Sequence, residues 1–199
     1  MDLSYSNIKK VFSDKGYKFF DDDKPHNINI FGIRMAVDAD SFDDYLGVAF
    51  KDGDLCEMSY IWMATTDPGK HYLNNPLNTK GTAIVVPGQY SGLWKIGKHQ
   101  GKYTALRQKG KVKLYRDNDK DNEHDLDPET IQEGNNFGIN CHRSNPKTES
   151  VIVNRWSAGC QVFKKKKDFD KLMQIAHVSA EKYGNSFTYT LLEKSDFEG

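Results

Sequence analysis

Helical periodicity appears in this chain only near its two ends, so the stretch between has to be built from short strands and turns. Leu3, Ile8, Val11 and Phe12 recur at roughly helical spacing and Gly16 closes the run, which predicts a short amphipathic helix over 4–15. Phe169, Leu172, Met173, Ile175, Ala176 and Ala180 repeat that pattern from Asp168 to a stop at Gly184. Elsewhere the apolar runs are short and bounded by Gly, Pro and Asp. Ile28 to Val37 predicts a strand, and Tyr45–Phe50 with Leu55–Trp62 predicts a hairpin whose turn is Asp52-Gly53. Thr82–Val86, Val112–Tyr115 and Ser186–Leu192 add further strands, while Asp67-Pro68-Gly69 and Asn74-Asn75-Pro76 read as turns. The expectation is a mainly β fold with an N-terminal and a C-terminal helix.

Chemistry concentrates in Phe137 to Phe163, FGINCHRSNPKTESVIVNRWSAGCQVF, where His142 stands eighteen positions before Cys160. A thiol attacks a carbonyl at neutral pH when a base lies within hydrogen-bond reach, and a small-residue turn lets the backbone approach substrate closely. Ser157-Ala158-Gly159 immediately before Cys160 is such a turn. The order His then Cys excludes papain-like enzymes, which run the other way. Cys160 is the candidate nucleophile and His142 its general base, expected as a thiolate–imidazolium pair. Gly159 and the Cys160 amide are candidates for an oxyanion hole, since a glycine there permits close approach. A buried structural cysteine and a core histidine are the plain alternatives.

The gap, the Gly-Ile-Asn-Cys-His strand end and the Ser-x-Gly-Cys turn together resemble the L,D-transpeptidase (YkuD-type) catalytic domain, as a divergent member. The resemblance covers roughly residues 28–192, with motif-specific residues at 137–163. It implies a β-sandwich-like fold, with 1–27 as a helical extension and link and 28–199 as the catalytic domain. It also implies a cysteine-dependent acyl transfer on peptidoglycan stem peptides, and a His142 ring oriented by the Arg143 carbonyl. Two positions depart from the family pattern: Ala158 stands in place of a second His, and Val162 in place of Arg or Asn. These departures motivate the alternative of a catalytically inactive domain that binds wall or virion components. Candidate substrate contacts are Ser157, Arg143, Asn140, Tyr90, Trp94 and Trp156, with His99 beside them. Asn140 also reads as a brace of the site, and packing is the favoured role for Trp94 and Trp156.

Bulk properties narrow the partners. Lys plus Arg equals Asp plus Glu at 28 each, so nothing steers nucleic acid to this chain. No run of 18 apolar residues offers a membrane span. Three cysteines, Cys56, Cys141 and Cys160, leave at least one free thiol. A zinc site of Cys141, His142 and Cys160 is disfavoured, because neighbours on a strand point to opposite faces. The N-terminus carries early acids and no signal-peptide core, so a wall-directed role is expected to use lysis, a phage particle or a non-classical route. Asp117 to Asp125 sets acids at positions 1, 3, 5 and 9 of a calcium-loop frame. Asn122 in place of Gly and Pro128 at position 12 favour a solvated acidic loop over a bound ion, so no cofactor is expected. The lysines at 164–167 read as a solvated edge.

Overall fold

A computed structural model describes residues 1–35 and 40–198. Chain order is α1 (Tyr5–Asp14), β1 (Asn29–Arg34), β2 (Asp44–Lys51), β3 (Glu57–Thr65), α2 (Lys70–Asn74), β4 (Thr82–Val85), β5 (Gly88–His99), β6 (Tyr103–Gln108), β7 (Val112–Asp117), β8 (Gln132–Gly134), β9 (Cys141–Arg143), β10 (Gln161–Phe163), α3 (Lys166–Tyr183) and β11 (Phe187–Glu193). The first helix, the hairpin β2–β3, α3 and β11 fall where periodicity puts them. The end of the predicted strand over 28–37 lies outside the described residues.

The strands close into a barrel in the order β1-β11-β5-β6-β9-β10-β3-β2, and β4, β7 and β8 form a second, three-stranded sheet. The architecture is mainly β, with helices near both ends. Two neighbouring pairs are parallel, β1–β11 and β9–β10. Parallel neighbours need a crossover of about a dozen residues or more. The stretch from Ser144 to Cys160 is that crossover, so the long interval between His142 and Cys160 is what brings them onto adjacent strands.

β1 is buried along its whole length because both of its faces are covered. Ile30 packs into the main core with Leu46, Trp94, Tyr189 and Leu191. Phe31 and Ile33 face outward and pack against Ile8, Val11 and Phe12 of α1. The N-terminal extension is therefore seated on the barrel. Ser4 caps α1 by accepting from the Asn7 N–H, satisfying one of the donors a helix start leaves open. From the other end, α3 sends Phe169, Leu172 and Met173 into the main core.

One local expectation is corrected. The β2–β3 loop is five residues long, closing at Lys51↔Glu57. Its left-handed position is Leu55 (φ 59), and Asp52 Oδ1 accepts from the Asp54 and Cys56 N–H groups. Asp52-Gly53 is thus not a two-residue turn. Tyr90 to Trp94 lies inside the long strand β5, where Gly92 (φ 59) sits at a bulge: Tyr189 pairs Tyr90 while Phe187 pairs Trp94.

Candidate active site

Strand parity sorts the side chains around the parallel pair β9–β10. Cys141 and Phe163 point into the barrel core. Asn140, His142 and Cys160 point the other way, into a cleft of about 1050 Å³ walled by the segment 77–83, the β5–β6 turn and the loop before β9. The ladder continues outward through the Gln161 N–H, which donates to the Asn140 carbonyl at 2.9 Å. With Val162 paired to His142, Cys160 sits one diagonal step from the histidine on the same face. Strand spacing and rise place such Cα atoms about 8 Å apart. The Cys141 thiol faces the core, so it does not converge with His142 and Cys160.

His142 is 4 % exposed, and its Nδ1 lies 2.8 Å from the Arg143 carbonyl. A carbonyl only accepts, so Nδ1 carries the hydrogen and Nε2 keeps its lone pair. Tyr103 OH donates to the same carbonyl at 3.3 Å, and the Arg143 guanidinium lies 4.1 Å from the Tyr103 ring centre. His99 stacks on His142 with ring centres 4.2 Å apart. Its Nδ1 accepts from Asn140 Nδ2 at 3.3 Å, while Asn140 Oδ1 accepts from the Gln108 N–H at 2.9 Å. Asn140 thereby ties β6 and His99 to the cleft face of the strand.

The Cys160 thiol donates to the Gly138 carbonyl at 3.4 Å. Burial pushes its pKa up to about 11, opposed in part by the Asn140 backbone N–H. Burial, then the His99 and Arg143 charges, push His142 down to about 3. The expected ion pair is accordingly corrected: the thiol's hydrogen bond goes to the Gly138 carbonyl rather than to His142, and burial favours the neutral form of each group.

Gly159 also takes a different part from the one its position suggests. Its N–H donates to Ser157 Oγ at 3.1 Å, and Ser157 Oγ donates to the Cys160 carbonyl at 2.8 Å. Ser157 is fully buried and holds the turn; it does not reach the cleft. Gly159 is required by conformation: φ is 115°, and a Cβ there would press into the Ala83 carbonyl. Tyr90 and Trp94 are corrected as well. Trp94 is fully buried, stacks on Tyr189 and donates Nε1 to the Ile139 carbonyl at 2.9 Å, and Tyr90 donates to the Val86 carbonyl. Both are core residues behind the site, because the barrel interior needs large rings.

Arg143 and Trp156 do line the cleft, Trp156 at 38 % exposure. Arg116 was not legible as a site residue, since nothing in Tyr-Arg-Asp marks it. β7 delivers it to the cleft wall, where its guanidinium donates to the Gly81 carbonyl (3.1 Å) and Gln132 (3.2 Å), over the Phe137 ring. The cleft lining holds Lys80, Lys102, Arg116, Arg143 and Arg155 and, among the described residues, no Asp or Glu. Val162 is buried with Phe42 and Val153 outside the cleft. The chain matches no protein-family model, no curated protein and no solved structure.

Proposed function

We propose that this chain is a cysteine acyltransferase or peptidase of the L,D-transpeptidase kind, acting on peptidoglycan stem peptides through Cys160. The observation that carries the reading is the shared face of His142 and Cys160 at the floor of one cleft, with Nδ1 held on the Arg143 carbonyl. In this mechanism the Cys160 proton passes to His142 Nε2 as the sulfur bonds to the carbonyl carbon of the third stem residue. The Cys160 amide is the candidate donor to the resulting oxyanion. The carbon–nitrogen bond to the following D-residue then breaks, and His142 returns the proton to the leaving amine. A thioester remains on Cys160. An acceptor amine or a water attacks it, loses its proton to His142, and the thiol is restored.

The cationic lining supports a substrate with free carboxylates, as stem peptides have. Arg116 and Arg143 offer planar donors for a carboxylate, a role Val162 does not fill. The neutral resting pair fits a site that ionises only with substrate in place, but it equally favours a second reading: an inactive domain that binds wall or virion components.

Mass spectrometry of the protein mixed with muropeptides separates the two. The enzyme reading expects an acyl adduct on Cys160 or released product, both absent in Cys160→Ala. Binding of the same muropeptides with neither adduct nor product supports the inactive domain and sinks the enzyme.

A further inference from the structure

The loop that follows β7 carries a feature the acyl-transfer reading does not use. One carboxylate oxygen from each of Asp117, Asp119 and Asp125 lies within 4.8 Å of the other two. Independently, Asp117 is 1 % exposed and its buried Oδ1 has no hydrogen-bond partner among the described residues. Its other oxygen accepts from the Asp125 N–H at 3.1 Å. A buried carboxylate oxygen left unpaired is costly, and two further carboxylates beside it raise that cost. Burial, then its acidic neighbours, push the Asp117 carboxyl above its ordinary range, opposed by the Asp125 N–H and more weakly by His124. Desolvation, then Asp119 and Asp121, do the same to Asp125. His124 is no strong counter-charge: burial lowers its pKa, and its Nε2 faces the Pro68 carbonyl at 3.1 Å.

We propose that Asp117, Asp119 and Asp125 form a binding site for a hard divalent cation, calcium by preference. The donors are carboxylate oxygens, which suit calcium and magnesium rather than zinc or copper. An irregular loop presents them, and such a frame adapts to the long, flexible coordination of calcium better than to the strict octahedron of magnesium. The glycine that a calcium frame needs at its sixth position is replaced by Asn122, which nonetheless adopts the left-handed conformation (φ 74). Pro128 in place of the bidentate Glu at position 12 removes two ligands. The affinity belongs to the weak class, with Kd about 10⁻⁴–10⁻³ M.

The cation's place in the fold gives it a structural effect. Asp117 pairs with Thr82 on β4, next to Ala83, whose carbonyl backs Gly159. The Asn74 side chain donates to Asn122, tying the loop to α2. An ion there pins the end of β7 to the wall of the cleft.

Thermal melting of the whole chain, titrated with calcium chloride and with magnesium chloride against sodium chloride of equal ionic strength, tests the site. Calcium should raise Tm saturably, by several degrees and with a half-effect in the high-micromolar to millimolar range, and magnesium less. Asp119→Asn and Asp125→Asn change exposed side chains; both should melt at or above the calcium-free wild type and lose the calcium response. A non-saturating shift matched by sodium chloride, or a saturable one kept by both variants, overturns the proposal. Tryptic cleavage after Lys120 gives a readout on the unaltered chain: calcium should slow it several-fold, and an unchanged rate counts equally against the site.

Discussion

Gly159 holds the turn before Cys160 in a left-handed conformation. At φ 115° an L side chain is strained, and a Cβ would meet the Ala83 carbonyl oxygen, its Cβ and its carbonyl carbon at once. The neighbouring elements have no room to yield, since Ala83 lies on β4 and Ser157 is fully buried. Gly159→Ala should therefore cost about 2–4 kcal/mol in urea unfolding, the range of strained-backbone and overpacked changes. It should also displace Cys160 from Gly138. Ala158→Gly, one residue away on the cleft side, should cost under about 1 kcal/mol. Equal costs for the two would show that the turn, rather than its contact with Ala83, sets the requirement. The pairing of Cys160 with His142 is an expectation from their spacing and turn, and the Arg143 carbonyl beside Nδ1 is one from the family resemblance. Arg116 is not legible in the chain, and neither is the stacking of His99 on His142, since each arrives on a strand distant in sequence.

Among the elements, the β2–β3 loop stores strain that can be removed. Leu55 takes a left-handed conformation while 42 % exposed, and Gly53, with nothing near its Cβ position, does not need one. The left-handed region costs a non-glycine residue about 1–2 kcal/mol, less for Asn. Leu55→Asn should raise stability by about 0.5–1 kcal/mol, and Gly53→Ala by about 0.4–1 kcal/mol through a less flexible unfolded chain. Chemical denaturation of each variant measures it; a loss from Gly53→Ala would restore the two-residue turn. The same loop explains how far sequence reading reaches. β2 is legible as an apolar run because both of its faces are covered, and the 3.6-residue repeat of α1 and α3 is legible because one face of each meets a core. β5 is not legible, since Gly92 and Gly97 punctuate it as turns would, although one is a bulge. β9 and β10 are three residues each, too short to show any period.

At the scale of the whole molecule, the dryness that neutralises His142 is also a term in folding. Its folded pKa of about 3 lies below the ordinary 6.5, so the stabilising contribution is present above pH 6.5 and is lost as pH falls toward 3. Between pH 7 and 5 that loss amounts to roughly 2 kcal/mol at 1.36 kcal/mol per unit. Asp44 works in the opposite sense. It is fully buried between the Met35 and Thr66 N–H donors, and burial with Asp67 nearby raises it to about 6. Its unfavourable charge is relieved on acidification from pH 6 toward 3.8, which masks part of the histidine effect in the native protein. His142→Asn isolates the histidine. The Asn amide can still donate to the Arg143 carbonyl, but no group remains at this position to take a proton, while Asp44 and His124 are unaltered. The stability advantage of wild type over this variant should therefore shrink by roughly 2 kcal/mol from pH 7 to pH 5 in paired urea titrations. Curves that stay parallel across that interval would mean that His142 meets water in the folded state, and with it the cleft floor that holds Cys160.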